Sequence, residues 1–235
     1  MLTLANLKKE LRVKANPEKA KILQRFFKTG PGEYGEGDIF LGITVPETRE
    51  IAKKYNNLTL KDAEKLLHSK IHEEKLISLL ILVHNFQKGS EKEKKKIFNL
   101  YLKNTKNINN WDLVDLSADK MIGEYLSDKS KMMLYRLAQS KNLWERRIAI
   151  MATFQFIKNN KFEETLKISK KLLNDKHDLI HKAVGWMLRE VGKKSLKTEE
   201  KFLREHCKKM PRTMLRYAIE KFPVNKKQIY LKGKI

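Results

Sequence analysis

At 235 residues and 41 % hydrophobic content the chain is long enough to bury a core, and 51 Lys and Arg against 28 Asp and Glu give it a net charge of +23. That balance points to a polyanionic partner, nucleic acid before an anionic membrane surface. The single cysteine, Cys207, excludes an intramolecular disulfide and a cysteine-based zinc cluster. Met1 to Ala15 carries charges throughout, unlike a signal peptide, and the longest apolar run, Leu76 to Val83, is too short to span a bilayer, so a cytoplasmic protein is expected.

Only five prolines occur, none between Pro46 and Pro211, and apolar residues recur at three-and-four spacing throughout. This pattern predicts helix after helix and no strands. The first two helices are expected at residues 4–14 and 17–28, the second opened by Pro17. Thr29 to Val45, with Gly30, Gly32, Gly35, Gly37 and Gly42, reads as a long loop. A loop of that length is either functional or a plain surface insertion.

From Pro46 onward helices are expected near 46–55, 59–68, 72–87, 90–103, 110–126, 129–138, 142–157, 161–173, 177–191, 198–208 and 212–221. Ser90 and Glu93 form a capping-box pattern, and Gly192 marks a stop. Helices of this length, joined by short links, predict an all-α solenoid of HEAT-like antiparallel pairs with a curved basic face, a single domain over 1–235, and a basic tail at 223–235.

The charge is uneven. Residues 1–130 carry a net +6 and residues 131–235 a net +17, which places the expected phosphate footprint in the C-terminal half.

Four stretches could carry chemistry. In Asn107 to Leu116 the Asn cluster starts a helix that puts Trp111 and Asp115 one turn apart on one face. The alternative is a packed indole and a structural ion pair. At 142–147 the pair Arg146 and Arg147 stands in the first turns of an apolar helix, where the helix dipole disfavours cations. Phosphate or a carboxylate on a neighbouring helix would compensate. Lys182, Trp186, Arg189 and Lys193 fall on one helix face as a basic stripe broken by an indole, a pattern met in nucleic-acid binding and also on solvated faces. Pro211 opens a helix in which Arg212, Thr213 and Arg216 suit a phosphate clamp. The pairs His68/His72 and His177/His181 have metal-like spacing but no third ligand, and no Gly-rich phosphate loop or nucleophile elbow is present.

Taken together, Phe40-Leu41-Gly42-Ile43 with Pro46 and Arg49, Trp111-Asp112-Leu113-Val114-Asp115, Trp144-Glu145-Arg146-Arg147, Lys182 to Glu190, and Pro211 to Phe222 resemble the bacterial DNA alkylation-repair glycosylases of the AlkD type. The resemblance runs from about Pro17 to Phe222. It implies a helical-repeat fold and hydrolysis of the glycosidic bond of 3-methyladenine or 7-methylguanine in duplex DNA. In it Asp115 is the catalytic aspartate, Trp111 and Trp186 are the active-site tryptophans and Arg147 the active-site arginine. It implies a monomer acting on alkylated double-stranded DNA, with no metal or redox cofactor. Two departures are Asn110, where some members have a tryptophan, and the Gly-rich insertion at 30–37. Two other readings stay open: a non-catalytic helical-repeat protein binding DNA or RNA structures through a basic face, and a protein-interaction scaffold.

Overall fold

The computed structural model describes residues 2–234, which are all-α apart from one isolated parallel bridge between Ile39 and Ile71. Two compact units divide the chain, residues 1–117 and 118–235.

The N-terminal unit contains α1 (Leu4–Val13), α2 (Pro17–Phe26), α3 (Val45–Lys54), α4 (Leu60–Leu67), α5 (His72–Lys88), α6 (Glu91–Lys103) and α7 (Trp111–Asp115). Side-chain caps define its boundaries: Thr3 and Asn16 accept the amides of Asn6 and Lys19, and Ser90 and Glu93 close the capping box expected there. The unit is built around α5, in which every residue from His72 to Leu79 is buried. Ile77 and Ile81 of α5 join Leu7, Leu11, Ile51 and Leu66 in one core. Each such side chain withdrawn from water contributes about 1.5–3 kcal/mol before chain entropy is counted against it.

The C-terminal unit contains a π-helical turn (Asp119–Gly123), α8 (Met132–Ala138), α9 (Leu143–Ala152), α10 (Phe154–Lys158), α11 (Glu163–Lys171), α12 (Asp178–Lys194), α13 (Leu196–His206), α14 (Arg212–Ala218) and α15 (Val224–Leu231). Here α12 is central, packing on α9, α10, α11, α13 and α14. Gly185 lets α14 approach closely: a β-carbon there would sit 2.4 Å from the Met214 carbonyl oxygen and 2.5 Å from the Tyr217 β-carbon.

Several expected boundaries need correction. The helix expected over 110–126 stops after one turn, because the Ser117 hydroxyl turns back to the Leu113 carbonyl (2.5 Å) and the chain continues as the π-helical turn. Thr153 breaks the 142–157 helix in the same way, its hydroxyl donating to the Ile150 carbonyl at 2.7 Å. Gly192 does not end its helix, which continues to Lys194; the glycine instead makes room for Glu199, whose Oε2 would lie 1.7 Å from a β-carbon there. The segment expected to be a basic tail forms α15, anchored by buried Tyr230 edge-on to Phe222 at 5.6 Å. Among the described residues no helix is long and apolar enough to cross a membrane.

Candidate active site and nucleic-acid interface

The single turn of α7 presents Trp111 and Asp115 half-exposed while Asp112, Leu113 and Val114 are buried. A five-residue helix cannot hold itself, since nucleation costs more than its few hydrogen bonds return. Its position is set by partners. The Asn110 side chain accepts the Trp111 amide at 2.9 Å and donates to the Phe27 carbonyl at 3.2 Å. Phe27 stacks on the indole of Trp111 with centroids 5.1 Å apart, and exposed Phe26 meets it edge-on at 6.0 Å.

Behind the indole lies a buried polar cluster. His72, 1 % exposed, directs Nδ1 to Asp38 (2.9 Å) and Nε2 to Asp112 (2.8 Å). Two carboxylate acceptors require two N–H donors, so the ring is an imidazolium. Burial works against that charge, but Asp112 and then Asp38 outweigh it and push the His72 pKa up to about 9. Burial likewise opposes ionisation of Asp38. His72, Lys75 and Asn109 nevertheless hold its carboxyl below the usual range. Lys75 reaches Asp38 at 2.5 Å and Asn109 at 2.7 Å. Rings continue this cluster outward, with His72 stacked on Phe40 at 4.3 Å, Phe40 on Phe27 at 4.9 Å, and Phe27 on Trp111.

The 29–45 loop is therefore built into this unit through Asp38 and Phe40. Buried Glu73 ties down its last stretch, accepting the amides of Leu41, Gly42 and Ile43 at 2.9–3.2 Å. Gly42 has φ +84° and lies where a β-carbon would be 2.1 Å from the Asn16 carbonyl, so only glycine fits.

In the C-terminal unit the two neighbouring arginines diverge. Arg146 is engaged by Asp175 (Nε at 2.6 Å) and the carbonyls of Ser140 and Lys141. Arg147 is 5 % exposed and donates to the Leu179 carbonyl at 2.5 Å. The α12 stripe is laced with acids. Lys182 pairs with Asp178 at 2.7 Å, Trp186 donates its indole N–H to Glu190 at 3.1 Å, Lys193 meets Glu190 at 2.7 Å, and Arg189 contacts Glu190 and Glu220. Burial raises the Asp178 pKa, but Lys182 and the Thr213 hydroxyl outweigh it and hold the group low. On α14, Arg212 and Arg216 are exposed and Thr213 half-buried.

Trp111 and Asp115 thus share a helix in one unit, while Arg147, Trp186 and the basic stripe belong to the other. Sequence reasoning missed the cluster of His72, Asp38, Asp112, Lys75 and Asn109. Its only signal was His72, read by spacing as a partner of His68. The rings of that pair have separate partners, His68 contacting Asn104 at 2.5 Å. In the other pair, His177 accepts the Leu179 amide and His181 contacts the Asp175 carbonyl.

A search of curated proteins finds no match. Among solved structures, a protein described as a predicted DNA alkylation repair enzyme from Enterococcus faecalis is similar in fold, with a TM-score of 0.65 and 20 % sequence identity over 89 % of this chain and 97 % of that one. The profile of the DNA alkylation repair enzyme family matches residues 7–222. The chain accordingly belongs to the DNA alkylation repair enzyme family, which gives it a role in DNA repair with DNA as its substrate.

Proposed function

We propose that the protein is a monofunctional DNA glycosylase that hydrolyses the bond between deoxyribose and a cationic, N-alkylated purine in duplex DNA. The observation that carries this reading is the half-exposed pair of Trp111 and Asp115 on a one-turn helix whose other side chains are buried. A purine methylated at N3 or N7 is already positive, so it departs with the bonding electron pair as a neutral base and needs little general-acid help. The sugar left behind develops oxocarbenium character. An ionised Asp115 stabilises that charge and orients the water, which bonds to C1′ and loses its proton to leave an abasic site.

Indole faces suit the cationic base and the sugar edge, and Trp111 and Trp186 are assigned to that role. Arg147 is assigned to the backbone at the lesion. Arg146, Lys182, Arg189, Lys193, Arg212, Thr213 and Arg216 are assigned to the flanking phosphates. Of these, Arg212 and Arg216 are exposed, whereas Arg146, Lys182, Arg189 and Lys193 must exchange an acidic partner for a phosphate. The chemistry asks for no metal or redox group, and a monomer suffices for it.

Incubation with N-methylated duplex DNA tests the reading. Free 3-methyladenine or 7-methylguanine should appear, with one abasic site per base released. Salt-sensitive binding without release would favour the non-catalytic reading instead.

A further inference from the structure

Two places where the sequence departs from part of the family it resembles, Asn110 and the glycine-rich segment 30–37, touch one another in the N-terminal unit. Asn110 is fully buried, and its side chain works in two directions. Oδ1 accepts the Trp111 amide at 2.9 Å, and Nδ2 donates to the Phe27 carbonyl at 3.2 Å. The second bond joins the residue before the indole to the residue whose ring the indole stacks on, with centroids 5.1 Å apart and 14° between the planes. One hydrogen bond therefore ties both partners of the stack together, just past the end of α2 and at the start of α7.

Gly35 sits over that bond. A β-carbon there would lie 2.7 Å from the Phe27 carbonyl oxygen and 2.8 Å from Asn110 Nδ2, the acceptor and the donor of the bond, and 3.0 Å from the Lys28 carbonyl oxygen. Unlike Gly32 and Gly37, Gly35 does not have a positive φ, so space rather than backbone conformation excludes a side chain. Its amide donates to the Lys28 carbonyl at 2.9 Å, which holds the loop down on the residue after Phe27.

We propose that Asn110 is a positioning residue for Trp111 and Asp115, and that Gly35 is the position in the 29–45 loop that lets it act. The Asn110–Phe27 bond, kept clear by the missing β-carbon, sets the angle at which the indole and the turn behind it are presented. Buried as it is, Asn110 acts through these neighbours and not on DNA. A displacement of ~1 Å at a group that meets the reacting centre costs about 10²-fold in rate, so loss of the bond should slow base release without weakening DNA binding. Its effect on rate rests on the glycosylase reading above; its effect on the indole rests on the packing alone.

Three variants of the intact protein test it. Asn110→Ser keeps an oxygen for the Trp111 amide but cannot span to Phe27, Asn110→Asp keeps the shape but has no proton to donate once ionised, and Gly35→Ala drives a methyl into the bond from the loop side. Glu36→Gln, exposed on the same loop, is the control. In single-turnover release of 7-methylguanine from saturating methylated duplex near neutral pH, all three should be at least about tenfold slower than wild type, with duplex affinity retained and the control unchanged. The deficit of Asn110→Asp should shrink at about pH 5, where burial keeps its carboxyl protonated and able to donate, while that of Asn110→Ser should not. The indole N–H resonance of Trp111, identified by its loss in Trp111→Phe, should shift in the three variants and not in the control. An unmoved resonance in Asn110→Ser and Gly35→Ala, a wild-type rate in both, or a rate lost only together with duplex affinity would each overturn the proposal. Should wild type release no base, the glycosylase reading fails and the resonance alone decides the positioning; should the Asn110 variants fail to fold, Gly35→Ala carries both measurements.

Discussion

At the scale of single residues, the least expected feature is the charged His72, because a buried imidazolium persists only when its partners cannot leave. Truncating it to His72→Gln strands Asp38 and Asp112, and a loss of about 3–5 kcal/mol at neutral pH is expected, measured by urea denaturation. The pH dependence has a defined sign. With the folded pKa raised from 6.5 to about 9, the stabilisation is complete below about pH 6.5 and is lost as pH rises through 9. Glu199 acts in a lower window. Burial, then the neighbouring Glu200, pushes its carboxyl from 4.5 up to about 8 despite Arg189 and Lys226, so its protonated form stabilises below about pH 4.5 and that contribution is lost through pH 8. Denaturation midpoints across pH 4–10 should flatten between 4.5 and 8 in Glu199→Gln and between 6.5 and 9 in His72→Gln, and the reverse assignment would refute both. The sequence announced neither group. His72 and Asp38 are 34 residues apart and meet only through the fold, and Glu199 looks like any acid in a helix until Gly192 is seen to receive it. Trp111 and Asp115, by contrast, were legible because their relation is local, four residues along one helix turn.

At the scale of elements, helices with strong amphipathic repeats and clear caps were readable from residue order alone, as at Pro17 and the Ser90–Glu93 box. What escaped were interruptions caused by side chains bonding to their own backbone, at Ser117 and Thr153, and helices that exist because a partner receives them. α15 is of the second kind: its stability depends on Tyr230 against Phe222, which no local pattern in a lysine-rich segment reveals. Contacts between elements set the next prediction. Gly185→Ala drives a methyl into Met214 and Tyr217 of α14, and a destabilisation of about 1–3 kcal/mol or more is expected from urea midpoints. An unchanged midpoint would mean that α12 and α14 can separate without cost. The 29–45 loop was expected to be either functional or a surface insertion. It is tied to the unit that carries Trp111 through Asp38, Phe40 and the Glu73 cradle, so loosening it should disturb that indole first.

At the scale of the whole molecule, a net charge of +23 overstates what is free to meet phosphate. Along α12, Lys182 and Lys193 are paired with Asp178 and Glu190 of the same helix, and Arg189 with Glu220 from beyond it, a partner that residue order does not reveal. Binding to duplex DNA should still weaken steeply with salt. About six phosphate contacts would correspond to a loss of ~10³ in affinity between roughly 50 and 200 mM. Arg212 and Arg216, exposed on α14, should each reduce the salt slope by about one when replaced by alanine. Arg147→Ala should lower stability as well as activity, since the residue is buried on the Leu179 carbonyl.

Single-turnover release of 7-methylguanine from methylated duplex DNA by wild type and Asp115→Asn tests whether Asp115 performs the chemistry. Asp115→Asn should release the base about 10²-fold or more slowly, with duplex affinity and thermal midpoint retained. Release by Asp115→Asn at the wild-type rate would contradict that role.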